Sequence, residues 1–207
     1  LGQAGHALLI DCRSLAHELV PLPKGVSIVI CDSMKRRGLV DSAYNQRRQE
    51  CQTGVHLLQR RLPGIKALRD VSPDDLARFG DGLPDPVGRR VRHVVHENAR
   101  VHAFASALRR GDLPSAGVLM NDSHVSLRDD YEVSCAELDM LVGAAWAAPG
   151  AYGSRMTGAG FGGCTVNLVA DEAVDVFSGQ VQTTYESRTD LMPQIYVSLP
   201  SAGVGET

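Results

Sequence analysis

Four glycines lie within six positions near the C-terminal end of the chain, at 158, 160, 162 and 163. Glycine loses more backbone entropy on folding than any other residue, at a cost of about 1 kcal/mol per position. A fold that keeps so many glycines together therefore uses positive φ angles, or a backbone that another group approaches closely. A loop of this kind, with exposed N–H groups, is suited to contact a phosphate or a sugar.

The same stretch matches the dinucleotide-binding fingerprint G-x-G-x-x-G at Gly158, Gly160 and Gly163. That fingerprint requires a strand before the glycines and a helix after them. Residues 134–147 have the pattern of a helix, whereas residues 164–169 alternate and are rich in β-branched side chains, which predicts a strand. The order is reversed, so we reject the dinucleotide interpretation. A P-loop is also excluded, since the chain has no G-x-x-x-x-G-K-[ST] motif.

The rest of the chain predicts an α+β fold with helices on one face of a small antiparallel sheet. Helices are indicated by apolar periodicity and by capping signals at Ser72, Asp112 and Asp171, and by a capping box that joins Ser134 to Glu137. The predicted strands span 6–10, 17–20, 26–33, 164–169 and 194–198, and the predicted helices span 41–62, 72–79, 87–110, 112–127, 134–147 and 171–185. We expect the first two strands to need partners that this sequence does not contain.

Composition sets broad limits on function. With 207 residues, the chain has room for one domain, or for one domain and part of another. A net charge of −3 gives no electrostatic reason to expect nucleic acid or an anionic membrane as partner, and no apolar run approaches the ~20 residues of a membrane span. Five cysteines without a C-x-x-C pair indicate neither a disulfide framework nor a zinc site, and we expect a cytoplasmic setting. Leu1 opens directly into an apolar segment, as if the chain were cut within a domain.

Two segments resemble the galactokinase branch of the GHMP kinases. Residues 153–164, Gly-Ser-Arg-Met-Thr-Gly-Ala-Gly-Phe-Gly-Gly-Cys, are similar to the third glycine-rich motif of that family, with Ala159 where glycine is commoner. Residues 123–134, Ser-His-Val-Ser-Leu-Arg-Asp-Asp-Tyr-Glu-Val-Ser, resemble the segment just upstream of that motif. The likeness covers nearly all of this chain but only about the second half of a galactokinase.

This resemblance implies a ferredoxin-like C-terminal domain over residues 23–207, preceded at 1–22 by strands that belong to the N-terminal GHMP kinase domain. It implies phosphorylation of galactose at the anomeric hydroxyl by ATP and Mg2+. Both cofactors would be held mainly by the other half, so no catalytic residue or metal ligand is assigned here and this chain alone is expected to be inactive. A sugar and ATP sensor without turnover, or an N-acetylgalactosamine kinase, remains an alternative, and the oligomeric state is open.

The resemblance also implies two contacts with substrates. The glycine loop, Thr157, Gly158, Ala159, Gly160, Phe161, Gly162 and Gly163, is expected to line the active site; alternatively, it is only a tight turn. Tyr44 matches the tyrosine of a Ser-x-Tyr-x-x-Arg-Arg segment through which galactokinases contact galactose. Alternatively, Tyr44 begins an apolar helix stripe that continues through Cys51, Val55, Leu58 and Leu62.

Other chemically suggestive side chains receive structural interpretations. We expect Arg47 and Arg48 to form a solvated helix face, and His93 and His96 to be a partly exposed pair rather than metal ligands. Arg128, Asp129 and Asp130 are interpreted as ion-pairing side chains, and His124 as an interior histidine. Asp11 is given no catalytic role.

Overall fold

The computed structural model describes residues 1–36, 40–198 and 200–203, with side chains in the first helix described from residue 43 onward. Parts of the sequence predictions fall outside the described residues, at the side chain of Ser42, at Leu199 and at residues 204–207. The elements in chain order are β1 (His6–Ile10), β2 (His17–Pro21), β3 (Val26–Asp32), α1 (Val40–Leu58), α2 (Pro73–Phe79), α3 (Val87–Arg109), α4 (Leu113–Asp129), α5 (Ala136–Ala147), β4 (Ala151–Met156), β5 (Cys164–Ala170), α6 (Val174–Thr189) and β6 (Gln194–Ser198).

The main sheet has four strands in the order β4-β5-β3-β6, and every neighbouring pair is antiparallel. The central strand β3 is paired on both sides, with Ile30 opposite Val166 of β5 and opposite Tyr196 of β6. Taken in chain order, these strands have the arrangement of a ferredoxin-like sheet. The predicted α+β class is confirmed.

One face of the sheet packs against α5 and α6. Val29, Cys31 and Val169 are fully buried against the two helices. The inward side of α6 carries Phe177, Val181 and Tyr185, which are all fully buried. Leu168 is adjacent to Val169 and so points to the opposite face. There it packs with residues of α3 and α4. Helices therefore contact both sides of the sheet, and the prediction that they lie on one face is wrong.

Strand β4 was not predicted. It lies at an edge of the sheet, and α4 packs closely along it, with the backbones touching at two glycines. A Cβ atom on Gly117 of α4 would lie 1.9 Å from the carbonyl oxygen of Tyr152, and one on Gly153 would lie 2.4 Å from the oxygen of Gly117. Glycine within a strand weakens the sequence signal for that strand, although here it permits the close approach.

Side chains of α4 also satisfy the outer edge of β4. The amide of Ser154 donates to Asn121 Oδ1 at 2.9 Å, and the amide of Met156 donates to His124 Nδ1 at 3.3 Å. Residues 121 and 124 are three apart on a helix and so lie on the same side of it. The helix therefore fixes the strand that leads into the glycine loop.

Strands β1 and β2 pair with each other. They form a separate antiparallel pair in which His6 lies opposite Pro21 and Ile10 lies opposite His17. Val20 is 2% exposed and packs with Ala105 and Leu108 of α3. The expectation that these strands lack a partner within the chain is wrong. The assignment of residues 1–22 to a different domain stays a prediction.

The helix ends follow two of the four predicted caps. Ser72 Oγ accepts from the amide of Asp75 at 3.1 Å, and Asp112 Oδ1 accepts from the amide of Ser115 at 3.1 Å. The capping box at Ser134 is wrong, because α5 has Cys135 at its N-cap, without a side-chain cap. Asp171 is not a cap of α6, which begins at Val174 with Ala173 as its N-cap and no side-chain cap. Within the described ranges, no helix has the length and apolarity that crossing a membrane would require.

Candidate active site

The glycine loop, residues 157–163, is the turn of the β4–β5 hairpin. At its base the amide of Thr157 donates to the oxygen of Cys164 at 2.9 Å, and the oxygen of Gly163 accepts from the amide of Ser33 at 2.9 Å. Its four glycines all have positive φ, at 78°, 84°, 127° and 89°. The predicted use of positive φ is confirmed. A strand lies on each side of the loop, so the absence of a helix after it is what excludes the dinucleotide fingerprint.

Half of the loop packs against the protein itself. Gly160 is buried, and a Cβ atom there would lie 2.1 Å from the carbonyl oxygen of Val133. The amide of Phe161 donates to that same oxygen at 2.8 Å. Glycine at 160 is therefore explained by close backbone packing, whether or not a ligand approaches this part of the loop.

The other half of the loop faces outward. Thr157 and Gly158 are exposed and Ala159 is half-buried. Among the described residues, no group accepts a hydrogen bond from the amides of Gly158 and Ala159. Unpaired N–H groups on a loop of positive-φ residues are the donors that a phosphate or another anion binds. This half of the loop has the chemistry expected of a ligand-binding segment.

Thr157 also borders a groove of about 370 Å³ between the sheet, α3 and α4. Most of its walls are apolar, but a charged group lies toward the Thr157 side. There Glu97 Oε1 accepts from Ser123 Oγ at 2.6 Å and from Arg155 Nη1 at 2.9 Å, while Oε2 pairs with Arg100. Two guanidinium groups surround one carboxylate, which leaves a net positive charge.

The carboxyl group of Glu97 is held in its ionised form. Burial alone raises its pKa, but the hydrogen bond from Ser123 and the charges of Arg155 and Arg100 outweigh that effect and lower the pKa below its usual value. The excess positive charge at this end of the groove is therefore maintained at neutral pH, where it attracts an anion.

Tyr44 lies on the first turns of α1 with half of its surface exposed, at 51%. Of the apolar stripe that follows it, Leu58 is buried and Cys51 and Val55 are half-buried, in a cluster to which Tyr44 does not belong. Arg47, one helical turn after Tyr44, donates to the oxygen of Tyr131, and Cys51 Sγ lies 3.9 Å from the Tyr131 hydroxyl. Tyr44 is thus open to solvent close to the segment that supports the glycine loop.

Arg47 was missed by sequence reasoning. It was predicted to be solvated, but only 11% of its side chain is exposed. Its Nε donates to the oxygen of Tyr131 at 2.7 Å, and its Nη2 donates to the oxygen of Glu132 at 3.1 Å. Arg48 is exposed, as predicted. The sequence signal for Arg47 was its spacing from Tyr44, because residues three apart lie on the same side of a helix.

Arg90 was also missed, and its side chain is only 2% exposed. It donates from Nε to Glu50 at 2.7 Å, from Nη1 to the oxygen of Asp130 at 2.5 Å and from Nη2 to Glu132 at 2.5 Å. Hydrogen bonds from Arg89 and Arg90 lower the pKa of Glu132 to about 2. These charges are compensated within the fold, so we assign them a structural role.

The histidines have structural environments. His93 is buried, at 5% exposure, rather than partly exposed as predicted; it stacks on Tyr131 and its Nδ1 lies 2.9 Å from Ser126 Oγ. Burial lowers its pKa to about 4. His96 is exposed. His124 is 1% exposed, which confirms an interior position.

The acidic residues near the end of α4 form ion pairs, as interpreted from the sequence. Asp129 pairs with Arg128 at 2.7 Å, and Asp130 pairs with Arg92 at 2.9 Å. Across the part of the chain that the structure describes, no three His, Cys, Asp or Glu side chains converge to hold a metal ion.

Comparison with known proteins finds galactokinases both by sequence and by structure. Residues 104–186 match the family model of the GHMP kinases C terminal. The chain is 53% identical over 204 residues to a galactokinase of Roseiflexus sp. (strain RS-1) and 54% identical over 204 residues to a galactokinase of Chloroflexus aggregans. Each match covers 99% of this chain and 52% of the relative. The chain thus spans about half the length of the curated relatives it matches.

The fold is similar to solved GHMP kinases. A Lactococcus lactis galactokinase complexed with galactose superposes with a TM-score of 0.91 at 37% identity, over 98% of this chain and 52% of that one. The mevalonate kinase of L. major, at 20% identity and a TM-score of 0.57, shares the fold. By sequence and by structure, the chain is similar to the C-terminal half of galactokinases, and its residues 104–186 resemble the C-terminal domain of the GHMP kinases.

Proposed function

We propose that this chain forms the C-terminal half of a galactokinase, which transfers the γ-phosphate of ATP to the anomeric hydroxyl of galactose. The observation that carries the proposal is the likeness, over 98% of the chain, to a galactokinase solved with galactose. Identities of 53% and 54% to other galactokinases support it. Homoserine and mevalonate kinases share only the fold, so they do not suggest a different substrate.

Tyr44 is proposed to contact the sugar. A phenol can bond a sugar hydroxyl while its ring covers an apolar face of the sugar. The exposed position of Tyr44 on the first turns of α1 supports this role over a place in the buried stripe.

The glycine loop is proposed to close beside the phosphates. Phosphoryl transfer depends on positioning and on donors that stabilise the developing negative charge. The unpaired amides of Gly158 and Ala159 supply such donors, and the arginines at the Thr157 end of the groove add positive charge. Gly160, Phe161, Gly162 and Gly163 would set the shape of the loop through their positive φ angles.

ATP and Mg2+ are proposed to be held mainly by the half of a galactokinase that this chain does not span. No group of carboxylates among the described residues fits a Mg2+ site, so we derive no step through the metal and assign no catalytic residue. The 207-residue chain by itself is expected to be inactive. A cytoplasmic location is proposed from the cysteine pattern alone.

The test is a coupled assay of ADP formation with the galactokinase-length protein that contains this chain. We expect turnover with galactose and ATP, and much less with N-acetylgalactosamine. Turnover mainly with N-acetylgalactosamine would change the assigned substrate. Calorimetric binding of galactose without any ADP formation would identify a sensor instead of a kinase, and would overturn the proposal.

A further inference from the structure

Arginine side chains donate hydrogen bonds to the backbone of a short segment between α4 and α5, residues 130–133. Three consecutive carbonyl oxygens accept hydrogen bonds from two guanidinium groups. The oxygen of Asp130 accepts from Arg90 at 2.5 Å, and those of Tyr131 and Glu132 accept from Arg47 at 2.7 and 3.1 Å. Charge-assisted hydrogen bonds from a planar fork fix both the position and the orientation of their acceptors.

The other end of this segment meets the glycine loop. Val133 is 3% exposed and belongs to the cluster against which Phe161 packs. Its oxygen accepts from the amide of Phe161 at 2.8 Å and takes the space in which a Cβ atom of Gly160 would lie. A displacement of Val133 would therefore be transmitted directly to the loop.

The segment has little freedom to absorb such a displacement. Glu132 has a φ of 54°. Residues other than glycine adopt this left-handed conformation only when their surroundings impose it. The carboxylate of Glu132 is held by Arg90 at 2.5 Å and also pairs with Arg89. The side chain and the backbone of this residue are thus held at the same time.

We propose that Arg47 is a positioning residue that sets the glycine loop relative to α1. Arg47 lies one helical turn after Tyr44, so a single helix would carry both the sugar contact and the support of the loop. This inference rests on the proposed function. It explains how the distance between the sugar bound at Tyr44 and the glycine loop beside the phosphates is fixed. Misplacing reacting atoms by about 1 Å can lower a rate about a hundredfold.

Arg47 is a better test of this coupling than Arg90. Removing Arg90 would take from Glu50 and Glu132 their almost fully buried partner, since Arg47 approaches the same carboxylates only at 3.4 and 3.7 Å, and such losses destabilise the whole fold. If Arg47 is replaced, both carboxylates keep their bonds to Arg90. Arg47→Lys retains the charge and most of the aliphatic stem but loses the fork that serves two carbonyl oxygens. Because Arg48 is exposed on the same helix, Arg48→Lys is the matched control.

The first measurement is amide hydrogen exchange in the folded protein, with near-UV circular dichroism to verify the fold. In Arg47→Lys we expect exchange at Phe161 to accelerate at least tenfold, because its acceptor on Val133 is released. The amide of Thr157, which bonds across the base of the hairpin to Cys164, is the internal reference and is expected to change less than twofold. Arg48→Lys is expected to leave both amides unchanged.

The second measurement is turnover in the galactokinase-length protein. We expect kcat of Arg47→Lys to fall at least tenfold, while KM for galactose stays within twofold because Tyr44 is unaltered. Equal acceleration at Phe161 and Thr157, or none at either, would overturn the coupling. A wild-type protein that phosphorylates no galactose would defeat the proposed function, but the exchange result would still decide whether Arg47 supports the loop.

Discussion

Replacing single glycines by alanine separates the packed half of the glycine loop from its exposed half. At Gly160 the new Cβ atom would lie 2.1 Å from the oxygen of Val133, at a φ of 84°. The left-handed conformation costs a residue with a Cβ roughly 1–2 kcal/mol. Overpacking adds about 1–3 kcal/mol. Loss of the hydrogen bond between Phe161 and Val133 adds about 1 kcal/mol. We expect Gly160→Ala to lower the free energy of unfolding by about 3–6 kcal/mol.

Gly158→Ala is the matched variant. Gly158 has nearly the same φ, 78°, but is exposed, so only the conformational cost of roughly 1–2 kcal/mol applies. Urea denaturation of both variants measures the difference from the midpoints, provided that the slope m is unchanged. In the galactokinase-length protein, Gly158→Ala is expected to weaken ATP-dependent turnover more than it weakens folding. If Gly160→Ala is as stable as Gly158→Ala, the close contact with Val133 does not constrain this loop and the reasoning is refuted.

Three further predictions concern other parts of the chain. His93 has a folded-state pKa of about 4 against 6.5 when unfolded, so the unfolded state binds more protons between these values; stability is retained above pH 6.5 and decreases as pH falls toward 4. Between pH 7 and pH 5 this histidine should lower the free energy of unfolding by about 2 kcal/mol. Urea unfolding of wild type and of His93→Gln at both pH values measures this loss as the difference between the two proteins. Free energies of unfolding that change equally with pH in the two proteins would contradict the prediction. Tyr44→Phe in the galactokinase-length protein should weaken galactose by about 0.5–1.5 kcal/mol in calorimetry and leave ATP affinity unchanged, whereas Tyr196→Phe, on an equally exposed tyrosine of β6, should change neither. Gly117→Ala should separate α4 from β4, since its Cβ atom would lie 1.9 Å from the oxygen of Tyr152, and should lower the melting temperature far more than Gly143→Ala, where no atom lies within 4 Å.

Features governed by neighbours in the chain were predictable from the sequence. Apolar periodicity and the caps at Ser72 and Asp112 predicted helices that the structure contains. Four clustered glycines predicted positive φ, and two motifs indicated the family. Each of these signals depends on residues within a few positions of one another, so a single sequence is sufficient to show them.

The tertiary structure decided what depended on distant segments. Strand β4 contains glycine and serine, and it is stabilised at its outer edge by Asn121 and His124 of α4, which its own sequence does not indicate. The two strands at the start of the chain found their partners in each other.

The arginines show the same limit of sequence reasoning. From sequence alone, a charged side chain is predicted to be exposed unless its hydrogen-bond acceptors are known. One of the acceptors of Arg47 lies on Tyr131, 84 positions away, and one of the acceptors of Arg90 lies on Glu132, 42 positions away. Only folding brings these groups together, and with them it determines how the glycine loop is supported.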